Sequence, residues 1–339
     1  MISIINEGKK SIKVAFADFY VGFDYHESFL YQILSEHYDV VIDEDDPEFV
    51  IYSCFGTEFL KYENAVRIFY TGENVFPNFN FCDYAVSFVR SSVGGRNLFF
   101  PLAYNHALNM KEDKLCAAPS DACSRKFCSF VYSNDSNGEG AVLRKKFCQQ
   151  LMDTYKHVDC AGRVLHNYDG LQQRYEGDEH EAKVEMLSQY KFNIAFENSN
   201  SDGYMTEKLT DPLLANTVPI YWGSEGNLSP FTKNAVICAN DFASLEDLIE
   251  YIKHVDNNDE AYHELLQNNP LRSNLVVSAR KQLTDFLVGI VESGKKFEKD
   301  SLKFDPLLKF RFLSQLPAKA FRIVNKLAKL YIKYFSEKK

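Results

Sequence analysis

The chain has 339 residues, 45% hydrophobic and 25% charged, with a formal net charge of -9. That composition excludes a disordered scaffold, the length suits two cores better than one, and the acidic balance offers no nucleic-acid surface. The opening stretch, MISIINEGKKSIKVAFADF, is interrupted by Asn6, Glu7, Lys9 and Lys10 before a secretory apolar run or a membrane span can form. A cytoplasmic protein is therefore expected. The eight cysteines (Cys54, Cys82, Cys116, Cys123, Cys128, Cys148, Cys160 and Cys238) are scattered without a CxxC pair. Reduced, buried thiols suit that setting, with a disulfide among Cys116, Cys123 and Cys128 as the alternative.

In chain order, IKVAFADF (12–19) reads as a strand and His26 to His37 as a helix. Strands follow at DVVI (39–42), FVIYS (49–53), VRIFYTG (66–72) and YAVSF (84–88). The charged stretch LNMKEDKLCAAPSDACSRK (108–126) breaks the pattern, and residues 116–126 are the candidate linker. The alternation then resumes with FCSFVYS (127–133), a helix from about Gly140 to Tyr155, VDCAG (158–162) and a helix near Glu181 to Tyr190. Beyond residue 224 come AVICA (235–239) and helices near 244–254, 260–267 and 273–291. Two α/β halves are expected, residues 1–115 and 127–300.

The richest segment is FNIAFENSNSDGYMTEKLTDPLLANTVPIYWGS, residues 192–224. Alternating Phe192, Ile194 and Phe196 form a strand, Glu197 and Asn198 open a polar loop containing Gly203, and Thr206 is a suitable N-cap for a helix beginning Glu207-Lys208. Backbone N–H groups at that helix start favour an anion. Lys208 adds a positive charge where helix stability alone disfavours one. Glu197 is suited to fixing the loop by accepting backbone N–H bonds. Pro212 falls beyond the first turn, removes a hydrogen bond toward Lys208 and predicts a kink. Trp222, the only tryptophan, reads as packing near the site. Glu73 follows the apolar run Val66 to Tyr70 at a strand's carboxyl end, where open α/β sheets place ligands. Arg144 has the planar fork that suits phosphate oxygens, with Lys145 and Lys146 as a solvated face.

FENS, GYMTEKLTD and TVPIYWGS, in this order and spacing, resemble the donor-binding signature of the α1,3-fucosyltransferase family, glycosyltransferase family 10. FYTGENVFPNFNFCDYAVSF (69–88) and FVYSNDS followed by Arg144 are similar to further blocks of that family. The resemblance spans about residues 48–270. It implies a GT-B architecture of two Rossmann-like domains facing a cleft, an acceptor-binding first domain and a second that binds GDP-fucose. Glu73 is then the catalytic base, Arg144 and Lys208 hold the diphosphate, Glu207 takes the ribose hydroxyls, and Asn198 and Tyr204 contact fucose and phosphate, with Glu197 and Gly203 in support. It further implies an inverting transfer to an N-acetyllactosamine-type or lipopolysaccharide acceptor, in a bacterial-type member on the inner face of the membrane. Transfer in an α1,4 linkage, another GDP-sugar, and a catalytically silent sugar-nucleotide-binding protein stay open. The acidic run Asp43 to Asp46 contains a formal DxD motif but lies far from the donor block and ahead of Pro47, as a solvated turn does. Metal-independent transfer with no cofactor is expected.

From Leu307 to Lys339 nine Lys or Arg stand against one acid, Glu337. Lys319, Arg322, Lys326, Lys329 and Lys333 recur at helical spacing beside Phe321, Val324, Leu327, Tyr331 and Phe335. Such a basic amphipathic helix is expected to bind an anionic membrane surface, with an ordinary exposed helix packed on the body or an RNA-binding tail as the alternatives. Deleting residues 307–339 should abolish co-sedimentation with phosphatidylserine vesicles; unchanged partition would contradict the anchor.

Overall fold

Short, fully buried apolar runs become parallel strands, because only a strand covered on both faces tolerates them. A computed structural model describes residues 8–108, 121–136, 138–170, 179–231, 233–272 and 275–297. The first sheet contains β1 (Ser11–Ala17), β2 (Asp39–Ile42), β3 (Phe49–Tyr52), β4 (Val66–Tyr70), β5 (Tyr84–Ser87) and β6 (Asn97–Phe99), in the order β2-β1-β3-β4-β5-β6. The second contains β7 (Lys126–Phe130), β8 (Val158–Cys160), β9 (Tyr190–Phe196), β10 (Val218–Trp222) and β11 (Ile237–Cys238), in the order β11-β10-β9-β7-β8. Every pairing is parallel. All carboxyl ends of a sheet therefore share one edge, and the loops leaving that edge carry the polar residues singled out above.

Eight α-helices accompany the strands among the described residues: α1 (Phe29–His37), α2 (Leu102–Leu108), α3 (Glu139–Thr154), α4 (Glu179–Leu187), α5 (Glu207–Leu214), α6 (Leu245–Asp256), α7 (Asp259–Gln267) and α8 (Leu275–Ser293). The helix expected from His26 to His37 is divided, because Ser28 accepts the N–H of Leu30 as an N-cap and starts α1 there. A short 3₁₀ turn, Tyr25–Glu27, precedes it. Strand β6 and helix α2, which the pattern did not predict, follow the glycine-containing loop after β5. Helix α8 falls in the segment assigned to the second half, yet it packs on α1 and α2. Its return is fixed by Tyr38 donating to Glu292 at 2.8 Å and by an Arg280–Glu36 ion pair at 2.6 Å.

Within the expected linker 116–126, Ala122–Ser124 is a 3₁₀ turn and Lys126 opens β7, while residues 116–120 lie outside the described residues. Outside them too lie Cys116 and the basic tail, residues 301–339. The described residues among 8–78 and 82–295 belong to one compact unit. The cysteines described are free thiols, and no described helix is long and apolar enough to cross a membrane. Asp43 caps its own turn by accepting the N–H groups of Asp45 and Asp46 and pairs with Lys13 at 2.8 Å.

The second sheet's core is centred on β9, whose seven residues are all buried. Phe147 of α3 stacks on Phe196 at 5.2 Å and 14°, both rings fully buried. Phe147→Ala should cost about 3–5 kcal/mol, read from the urea midpoint at unchanged slope; a loss under about 1 kcal/mol would contradict this packing.

Candidate active site

Glu197, the first residue past β9, is fully buried. Its carboxylate accepts the N–H of Thr206 at 2.7 Å and the hydroxyl of Thr206 at 2.7 Å. Thr206 in turn caps α5, accepting the N–H of Lys208 at 3.3 Å. One acid thus ties the end of a central strand to the start of α5. Between them, Gly203 adopts φ +79°, and a Cβ there would lie 2.1 Å from the carbonyl oxygen of Phe88, so both backbone and space require glycine. Tyr204 is buried, its ring edge-on to Phe88 at 5.6 Å.

Lys208 has a side chain only 14% exposed, its Nζ 2.7 Å from Glu207 Oε1 and 3.8 Å from Glu197 Oε2. Burial opposes its charge, but Glu207 and Glu197 outweigh burial and hold the ammonium above the ordinary lysine range. Burial pushes Glu197 up to about 7, with Lys208 pulling it down and Glu207 pushing it further up. Helix α5 continues through Pro212 to Leu214, and the N–H of Ala215 reaches the carbonyl of Asp211, so the expected kink does not end the helix.

Arg144 of α3 is 2% exposed and lies under the same loop. Its guanidinium donates to the Asn198 side chain at 2.8 Å and to the carbonyls of Phe196 at 3.3 Å and Asn134 at 2.5 Å. It rests 3.9 Å from the ring centre of Tyr132, whose hydroxyl donates to the carbonyls of Ile194 and Phe196. Burial lowers its pKa. The N-terminus of α3 meets this loop, Gly140 donating its N–H to the carbonyl of Asn198 at 3.1 Å. Two helix N-termini, the buried Arg144 and the half-buried Lys208 therefore converge just beyond β9, a setting that favours an anion.

Across from this edge, Glu73 leaves β4 through Thr71 and Gly72, its N–H donating to Thr71 Oγ1 at 3.0 Å. Its side chain is exposed and near enough to Tyr204 to add to the rise that burial gives that phenol. Asn74 joins the two loops by donating to Ser199 at 2.6 Å and Ser201 at 2.9 Å. Arg90, after β5, clasps the second half by pairing with Asp202 at 2.9 Å and donating to the carbonyls of Ser229 and Asn227. Helix α2 packs against α5, with Ala103 donating its N–H to the carbonyl of Met205. Among the described residues, Asn74 Oδ1 and Arg144 Nε are buried here without a hydrogen-bond partner.

The structure therefore gathers Glu197, Asn198, Gly203, Tyr204, Glu207, Lys208 and Arg144 around the loop after β9, with Glu73 on the facing edge. Sequence reasoning missed Tyr132, Thr206 as a ligand of Glu197, and the Asn74 and Arg90 bridges. Tyr132 and Asn74 lie inside recognised blocks; Arg90 carries no local signal. Trp222 packs at 6.3 Å from Phe196, at the edge of the second core. No three His, Cys, Asp or Glu side chains gather to hold a metal among the described residues.

Residues 14–106 match the α-(1,3)-fucosyltransferase FucT N-terminal domain, and residues 124–286 match the glycosyltransferase family 10 (fucosyltransferase) C-terminal region. The chain belongs to glycosyltransferase family 10. It is 33% identical over 288 residues to the α-(1,3)-fucosyltransferase FucT of Helicobacter pylori, which covers 74% of this chain and 58% of that protein. This family 10 chain thus spans less than two thirds of that relative's length. It is also 34% identical over 128 residues to human GDP-fucose protein O-fucosyltransferase 3, covering 37% of this chain and 26% of the human one. A solved α1,3-fucosyltransferase in complex with GDP-fucose matches with a TM-score of 0.68 at 28% identity, covering 90% of this chain and 96% of that one. The two parallel-sheet α/β halves are those of a GT-B fold.

Because the folded pKa of Glu197 stands above its ordinary 4.5, the native state binds the extra proton and loses stability as pH rises from about 4.5 to 7. Glu197→Gln should remove that dependence. The wild type should lose on the order of 2 kcal/mol relative to the variant across the window; parallel pH profiles in urea denaturation would contradict it.

Proposed function

We propose that this family 10 chain is an inverting α1,3-fucosyltransferase that moves fucose from GDP-fucose to the GlcNAc of an N-acetyllactosamine-type acceptor, building Lewis-type glycans. One observation supports the reading: Asn74 ties the loop that carries the exposed Glu73 to the loop after β9, beside which Lys208 and the buried Arg144 lie. Inversion requires the base and the leaving group to work from opposite sides of the sugar carbon.

Glu73 takes the proton from the acceptor hydroxyl as its oxygen attacks the anomeric carbon of fucose. The bond from that carbon to the β-phosphate oxygen breaks, and the electron pair leaves on GDP. Lys208 and Arg144, with the positive end of the α5 dipole, stabilise the charge that develops there. Glu207 is an acceptor-only group suited to paired ribose hydroxyls. Asn198, hydrogen-bonded to Arg144, links the sugar-facing loop to the cation beneath it, while Tyr204 holds the loop against Phe88. Lys208 and Arg144 supply the charge that a divalent ion supplies in other sugar-nucleotide enzymes, so transfer is proposed to need neither metal nor cofactor. The acceptor is an oligosaccharide or lipopolysaccharide precursor, met at the inner membrane face through the basic tail.

Transfer from GDP-fucose to N-acetyllactosamine, measured with and without EDTA, tests this directly. Glu73→Ala should lower kcat by roughly 100- to 10,000-fold while GDP still binds, and EDTA should leave the wild type active. No transfer by the wild type, or Glu73→Ala within about twofold of it, would overturn the reading.

A further inference from the structure

The carboxyl edge of the first sheet carries aromatic rings that the fold does not bury. Tyr20, in the loop after β1, is 58% exposed, and Phe55, in the loop after β3, is 53% exposed. Isolated exposed rings are ordinary, but these are organised. Tyr20 meets Phe55 edge-on at 6.4 Å and 84°, and meets Phe23 edge-on at 5.6 Å and 79°. Phe23 is itself stacked on Phe19 at 3.9 Å and 8°.

The corner is rigid. Asp18 adopts φ +58°, and its carboxylate accepts the N–H groups of Glu58 and Phe59, each at 2.9 Å. Its carbonyl accepts the N–H of Phe55 at 3.0 Å. One residue thus fixes both ring-bearing loops. A side chain on Gly56 would lie 2.1 Å from Asp18 Oδ1, so the loops close tightly. The corner also adjoins the candidate base. Cys54 Sγ lies 3.2 Å from Thr71 Oγ1, the hydroxyl that accepts the N–H of Glu73.

We propose that Tyr20, Phe23 and Phe55 form an acceptor subsite that stacks on the apolar face of a neutral sugar, the residue extending the acceptor beyond the hydroxyl presented to Glu73. A sugar ring offers C–H groups on its face and hydroxyls at its rim, which matches rings flanked by exposed Asp24, Thr57 and Glu58. Asp24 pairs with His26 at 3.1 Å, which leaves Glu58 as the acid at the rim and favours an uncharged saccharide over anionic lipid or phosphate. The inference rests on the transferase reading for the identity of its ligand.

The full chain, with Tyr20→Ala, Phe55→Ala and the conservative Tyr20→Phe and Phe55→Trp, provides the test. Acceptor KM for N-acetyllactosamine oligosaccharides should rise about tenfold in each alanine variant, with the KM for GDP-fucose within about twofold, and both conservative variants should keep the wild-type value. Saturation-transfer NMR on the same free oligosaccharides, without donor, should lose its signal in the alanine variants. Saccharide contact independent of these rings, or an unchanged acceptor KM, overturns the subsite. A wild type that shows ring-dependent saccharide contact without any transfer supports the subsite and defeats the transferase reading instead.

Discussion

The buried bond pair between Glu197 and Thr206 is the constraint on which the loop after β9 and the start of α5 depend. A carboxylate removed from water is costly unless its oxygens are satisfied. Both are, one by a backbone N–H and one by a hydroxyl, so the strand end and the helix start are held at a fixed separation. That fixes the first turn of α5. Glu207 and Lys208 take their positions from it, and the carboxylate of Glu197 helps keep Lys208 charged in a setting that would otherwise favour the neutral amine.

The second constraint is the alignment of two sheets that share no strand. Helix α2 packs on α5, Asn74 reaches Ser199 and Ser201, and Arg90 draws the loops after β9 and β10 toward β5. These contacts hold the Glu73 loop against the donor loop. If Glu73 is the base proposed above, such bridges are what locate it, since small displacements cost large factors in rate.

Much of the fold was legible because parallel strands are announced by short apolar runs such as VRIFY and YAVS; β9 is legible from Phe192 on by the alternation of Phe192, Ile194 and Phe196, while its first residue, Tyr190, reads as the end of the preceding helix. Strand β6 escaped because only Asn97–Phe99 pair, too few residues for any alternation to register. Helix α2 is seven residues long, and α8 reads as a helix without stating which sheet it covers. The donor loop was legible through Glu197, Thr206 and Lys208, whose types already suggested a capped, charged helix start. Arg144 was singled out for its planar fork, but its burial over Tyr132 was not legible, since a helical side chain resting on a ring in the loop after β7 leaves no local pattern. Arg90 was invisible for the same reason: its partners lie more than 100 residues away.

Calorimetric titration of GDP into the wild type and into Thr206→Val measures the central constraint directly. Valine keeps the shape of the side chain but removes the hydroxyl that joins Glu197 to the start of α5. The account predicts a folded variant with affinity for GDP weakened by about tenfold. Equal affinity in the two proteins would contradict it.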